Sequence, residues 1–216
     1  MSEHRRILDF LALAERLKTE LRHSWLSSGR QESVAEHSFQ MALMALLVHR
    51  HLAQPVDLCK ALKMILIHDL VEAEAGDVPF FDDSGRRAQK PARERAAIES
   101  IRARLGPPLG QEFHDLWHEF ERKSSAEARL ASALDHLEVQ IQHNLAALES
   151  WTPAEYDLVY TKMDRHCAYD RFLAGLCAAV KEQAESKMRA AGVDVEALRQ
   201  RHGVDSSQTD GGDLSG

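Results

Sequence analysis

The stretch Met64-Ile65-Leu66-Ile67-His68-Asp69-Leu70-Val71-Glu72 decides the fold, because its apolar run ends in an imidazole beside a carboxylate. Partners for that pair exist elsewhere in the chain. His37 lies upstream in Glu32-Ser33-Val34-Ala35-Glu36-His37, and Asp135 lies downstream in Ser132-Ala133-Leu134-Asp135-His136. Two imidazoles and two carboxylates form a mixed nitrogen and oxygen set that suits one divalent ion, Mn, Co, Fe, Ni, Zn or Mg, with softness and geometry favouring the transition metals. Adjacent helical residues project about 100° apart, so His68 and Asp69 can share an ion only if it sits close to their own helix. His37 and Asp135 must then close the site from other helices, as in an ion clamped inside a bundle.

Working outward from the pair, Glu72 stands four residues after His68 and three after Asp69, on the same helical face. Asp77 follows Gly76, where that helix should end, and its side chain can reach over the mouth of the site. A carboxylate beside metal-activated water can orient it, accept its proton, or protonate a leaving group.

Helical periodicity runs through almost the whole chain. Residues 5–22 place Ile7, Leu11, Ala14, Leu17 and Leu21 on one stripe, and residues 22–31, with Ser24, Ser27, Ser28 and Gly29, read as a loop. Ser33-Val-Ala-Glu36 is a capping box that starts a helix over 34–52 and puts His37 in its first turns. Pro55 can open the next helix, which carries His68-Asp69 and stops near Gly76. Residues 80–92 read as a mobile surface loop, and helices resume over 91–105 and 108–122. Further capping boxes at Ser124–Glu127 and Thr152–Glu155 open the helix that contains Asp135 and another running to about 190. Without alternating runs long enough for a sheet, and without a glycine-rich loop after a strand, dinucleotide and P-loop folds lack their context. The chain reads as all-α, one domain over 1–202 with a flexible tail over 203–216.

Composition narrows the class of function. The formal net charge of −7 argues against wrapping nucleic acid. The longest strongly apolar run, residues 41–48, is far shorter than the ~20 residues a bilayer helix needs. Three cysteines without close pairing argue against a disulfide framework, so a cytoplasmic location is expected. Most of the twelve histidines, His143 and His166 among them, read as surface or satisfied core residues. Arg86, Arg87, Lys90, Arg93 and Arg95 read as a solvated face.

His37, His68-Asp69 and Asp135 resemble the H…HD…D pattern of the HD-domain metal-dependent phosphohydrolases. The segments Leu17-Lys18…Arg22-His-Ser-Trp25, Glu32–His37, His68–Glu72, Gly76-Asp-Val-Pro79, Leu116–Glu121 and Ser124–Ala128 are similar to its YfbR-type 5'-deoxynucleotidase branch, over roughly residues 8–180. The resemblance implies an HD-domain helical bundle, usually a homodimer, that hydrolyses deoxynucleoside 5'-monophosphates with one divalent metal ion. It implies His37, His68, Asp69 and Asp135 as ligands and Glu72 as the carboxylate at the attacking water or leaving oxygen. Asp77 becomes a second acid near the sugar, Arg22 a phosphate contact and Trp25 a wall beside the sugar. The chain departs from the family in Arg22-His-Ser-Trp25, where Arg-x-Gly-Trp or Arg-Trp is frequent, and in His136, where lysine commonly follows the fourth ligand. Two alternatives stay open: a phosphohydrolase of this fold acting on another small phosphate ester or a longer nucleotide, and a helical sensor or scaffold that binds metal or nucleotide without turnover.

Overall fold

Side-chain caps start the helices that carry the site. Ser33 accepts from the Glu36 amide at 3.3 Å while the Glu36 carboxylate accepts from the Ser33 amide at 2.9 Å. This reciprocal pair satisfies two free amides and fixes the start of α2 (Val34–Val48), four residues before His37 completes its first turn. In the computed structural model, which describes residues 2–79 and 85–204, α1 (Glu3–Ala14) precedes it, followed by a 3-10 turn and a short antiparallel hairpin of β1 (Leu21–Trp25) and β2 (Gln31–Ser33). Then come α3 (Leu58–Ile67), α4 (Glu72–Ala75), α5 (Arg86–Leu105), α6 (Leu109–Arg122) and α7 (Ala126–Leu145). The C-terminal elements are α8 (Pro153–Thr161), α9 (Asp164–Cys167), α10 (Arg171–Ala190) and α11 (Val195–Arg201).

The protein is an all-helical single domain in which α2, α3 and α7 pack against one another at the centre. Met41, Met64, Ile65, Leu134 and Leu137 are fully buried there. Each such side chain contributes about 1.5–3 kcal/mol of transfer free energy, and together they form the floor on which the polar residues sit. A second, smaller core gathers Trp151, Val159, Tyr160, Met188, Val195 and Leu198 from α8, α10 and α11 and the loop before α8.

Several local expectations are corrected. The predicted helix over 5–22 stops at Ala14 and a 3-10 turn, and the predicted loop after it is the β1–β2 hairpin. The helix predicted from Pro55 starts at Leu58, since Asp57 supplies the cap to the Lys60 amide. That helix also ends at Ile67 rather than near Gly76. Bonds from Leu70 to the Ile67 carbonyl and from Glu72 to the Asp69 carbonyl tighten the chain into turns before the short α4. Gly76 has φ +72°, which suits glycine at the exit.

Residues 86–92 are helical, not loop, because α5 carries Pro91 on its exposed side and loses only the bond to the Arg87 carbonyl. The cap before α7 is Ser125 rather than Ser124, and Glu127 instead accepts from the Asp57 amide. At Thr152 the glutamate half of the expected box forms, with Glu155 accepting from the Thr152 amide at 2.5 Å. The long helix expected from there is three helices, because Asp170 caps α10 and also accepts from the Ala53 amide. Of the predicted tail over 203–216 and loop over 80–92, residues 205–216 and 80–84 lie outside the described residues.

Candidate metal centre

His37 and His68 meet where α2, α3 and α7 converge, with ring centroids 5.6 Å apart and almost no exposure. Each ring has one nitrogen committed. His68 Nδ1 lies 2.7 Å from the Ile65 carbonyl oxygen, which can only accept, so Nδ1 carries the hydrogen. His37 Nδ1 lies 2.5 Å from Glu138 Oε2, a carboxylate wholly buried with it. The Nε2 atoms of both rings are buried with no hydrogen-bond partner. Buried polar atoms are paired in folded proteins with few exceptions, and two such orphans aimed at one spot describe the lone pairs a cation takes.

Carboxylates complete that spot. Asp135 Oδ1 lies 3.3 Å from His37 Nε2, and ligand atoms of His37, His68 and Asp135 lie within 4.8 Å of one another. Asp69 Oδ2 is 3.1 Å from His68 Nε2 and 3.7 Å from His37 Nε2. All four expected ligand residues are therefore gathered, and a donor set of two imidazole nitrogens, free to coordinate once deprotonated, and two carboxylate oxygens fits a divalent ion, which would replace the proton on His37.

The supports are specific. Trp117 Nε1 on α6 donates to the His68 carbonyl at 3.2 Å, and the Phe120 ring packs 5.1 Å from the imidazole. Glu138 stands three residues after Asp135 on α7, so one helix presents both a ligand-type carboxylate and the carboxylate that orients His37. Sequence reasoning missed Glu138, although its spacing from Asp135 was the available signal.

Electrostatics separate the surrounding acids. Burial and the Arg22 charge both lower the His37 pKa, yet Glu138 and Asp135 outweigh them and hold it up to about 10. Burial raises the Asp69 and Asp135 carboxyls, but the imidazoles around them win and keep both ionised, well below the ordinary range. Burial, then Glu138, pushes Glu32 up to about 8. Glu72 is 3% exposed, and burial, then Asp69 and Asp77, raises it well above an ordinary glutamate.

Above the ligands opens a cavity of about 370 Å³. Arg22, Asp69, Glu72, Asp77 and Asp135 all line it. Arg22 reaches Asp69 Oδ2 at 3.2 Å from β1, within the hairpin expected to be a loop. Trp25 is not among the lining residues; its neighbour Ser24 takes the buried position, and the Trp25 carbonyl accepts from Gln142. Lys90, read from sequence as part of a solvated face, lines the cavity and sits 3.3 Å from Glu72 Oε1. His143, read as an ordinary core residue, lines it too.

Comparisons with known proteins agree on the class of site. Residues 14–170 match the family model described as HD domain. The protein named 5'-deoxynucleotidase HDDC2 from Danio rerio is 36% identical over 148 residues, covering 66% of this chain and 71% of that protein. Its namesake from Homo sapiens is 34% identical over 140 residues, covering 64% and 67%. Among solved structures, one titled a predicted metal-dependent phosphohydrolase from Magnetospirillum magnetotacticum is similar with a TM-score of 0.75 and 31% identity, over 87% of this chain and 97% of that one.

Proposed function

The chain belongs to the HD-domain family, and from that premise we propose that it is a metal-dependent 5'-deoxynucleotidase, converting deoxynucleoside 5'-monophosphates to deoxynucleosides and phosphate. The observation that carries the reading is the pair of buried, unpartnered Nε2 atoms of His37 and His68 beside Asp69 and Asp135, on the floor of a cavity that also holds Glu72 and Arg22. His37, His68, Asp69 and Asp135 are the residues that would hold one divalent ion. Bound there, it supplies Lewis acidity toward a phosphoryl oxygen and lowers the pKa of water.

The protein's own groups do the rest. Arg22 stays charged among four carboxylates and offsets negative charge that builds on the phosphoryl oxygens. Burial, then Asp69 and Asp77, raises the Glu72 carboxyl well above an ordinary glutamate, which suits it to protonate the departing 5'-oxygen. Lys90, 3.3 Å from Glu72, adds a second cation on the same wall. Asp77, whose amide donates to Glu20 Oε1 at 2.8 Å, is held at the mouth for the sugar. Trp25 acts at one remove, by fixing the strand that presents Arg22 and Ser24.

We further infer a homodimer, supported by α2, which exposes Phe39, Leu43, Leu46 and Leu47 at helical spacing, and a single functional domain over 1–202. A cytoplasmic location is consistent with this reading. No helix among the described residues is long and apolar enough to cross a membrane. Phosphate release from dAMP against AMP, measured after chelation and re-addition of individual metals, tests the reaction, the sugar preference and the cofactor together. Equal rates on AMP would remove the deoxy preference, and release that persists without metal would remove the proposed centre.

A further inference from the structure

The cavity continues well past the metal ligands, and its far end is polar in a way that phosphate chemistry does not use. Helix α7 acts as a ruler along one wall, with Asp135, Val139 and His143 recurring every four residues. At 1.5 Å per residue, the run from Asp135 to His143 covers about 12 Å, comparable to the reach from 5'-phosphate to base in a nucleotide. Strand β1 repeats the order. Arg22 contacts Asp69, and two residues on, Ser24 Oγ lies 3.4 Å from His143 Nε2.

Glu155 closes that end. It is 2% exposed, and its two oxygens have different lives. Oε2 accepts from the Thr152 amide and so caps α8. Oε1 lies 3.4 Å from both His23 Nε2 and His143 Nε2, longer than the roughly 2.7–2.9 Å of a strong charge-assisted bond. Nearby, the Gln140 amide donates to Asn144 Oδ1 at 3.0 Å, which leaves its carbonyl as the group with accepting capacity to spare. Val139, Leu158 and Met163 supply apolar wall around these acceptors.

We propose that this end of the cavity is a nucleobase subsite, in which Glu155 Oε1 accepts an exocyclic amino group while Val139, Leu158 and Met163 pack on the faces of the ring. It rests on the reading of the metal end as a phosphomonoesterase centre. The ligand class is a deoxynucleotide with an amino-bearing base. Cytosine N4 and adenine N6 each present an N–H donor to the acceptor, whereas thymine and guanine turn their O4 and O6 carbonyls toward a buried carboxylate. Burial holds His143 below its ordinary pKa. A structural role as helix cap accounts for Oε2, while Oε1 meets the His23 and His143 imidazoles only at 3.4 Å.

The test compares dCMP with TMP on the full chain. Calorimetric binding to chelator-treated protein gives the affinity ratio, and phosphate release from the metal-loaded protein gives the kcat/KM ratio. The wild type should favour dCMP by on the order of tenfold, the size of one hydrogen bond to a charged group. Glu155→Gln retains the capping function, since glutamine serves at that position too. Its amide can donate to O4, and the ratio should fall toward unity. Equal affinities in the wild type, or an unchanged ratio in Glu155→Gln, overturn the subsite; if the variant fails to fold, the wild-type ratio alone decides. The two readings fail separately. Equal phosphate release from dCMP and TMP removes the subsite and leaves the deoxynucleotidase standing. No release from any deoxynucleotide, with a dCMP preference in binding that Glu155→Gln abolishes, does the reverse.

Discussion

The central core of α2, α3 and α7 and the smaller core of α8, α10 and α11 each bury a carboxylate, and the two are treated oppositely. Glu185, in the smaller core, accepts from the Tyr160 hydroxyl at 3.0 Å and faces Arg189 and Arg199 at 3.2 and 3.3 Å. Both of its oxygens are occupied. Glu72, in the central region, has Lys90 near one oxygen, and its other oxygen is buried with no partner. Nearby, Glu32, Glu138, His37 and His68 also carry unpartnered buried atoms. A leftover buried donor or acceptor costs about 1–3 kcal/mol, so such atoms concentrated in one place mark a region shaped by something other than stability. The satisfied cluster is a strut; the unsatisfied one is a site.

Substitutions can break that contrast. The largest effect is expected at Glu72→Gln, which keeps shape and removes the acid; phosphate release should fall about a hundred- to ten-thousandfold while metal content stays that of the wild type. Wild-type turnover in this variant would sink the assignment of Glu72. Glu138→Gln should weaken metal affinity by about 10–100-fold, read by competition with a chromogenic chelator, because His37 loses the anion that orients it. An unchanged affinity would make Glu138 a mere packing residue. In the smaller core, Tyr160→Phe should cost about 1 kcal/mol in denaturant unfolding and leave kcat alone. A drop in kcat would mean the two regions are coupled.

The smallest effect concerns the surface of the smaller core. Asp157 receives His202 Nε2 at 2.8 Å and Arg201 at 3.0 Å. The His202 bond, and then the Arg201 bond, against the opposing cost of burial, hold its carboxyl below the ordinary value of 3.8. A carboxyl depressed in the folded state stabilises above its unfolded pKa and loses that contribution as pH falls through the folded one. Wild type should therefore be slightly more stable than Asp157→Asn at neutral pH, with the gap closing below about pH 3.8. A gap that widens in acid would reverse the sign.

The residues that make the site unsatisfied were readable in part from sequence. His37, His68, Asp69 and Asp135 are legible because ligand types recur in an order, and the capping box at Ser33 announces where His37 falls in its helix. Glu138, Lys90 and Glu155 were not, because their roles depend on which neighbour each meets from another element. Lys90 looked solvated for a good reason: α5 begins as a run of charged residues, and only its packing beside α4 turns one of them inward. The hairpin at 21–33 escaped for a different reason. Its strands are short and polar, with alternation too brief to register, and they persist because they pack on α2 and α7 rather than on their own pattern.

The ligand residues come from the start of α2, the end of α3 and the middle of α7, elements far apart in the chain. No fragment made early in synthesis contains the whole set. A nascent polypeptide must close two long loops before the cluster exists, and such distant pairings come late in folding. An ion that binds only the finished arrangement favours it by mass action. Metal capture is then a quality mark on the new chain, acquired only after α7 has docked.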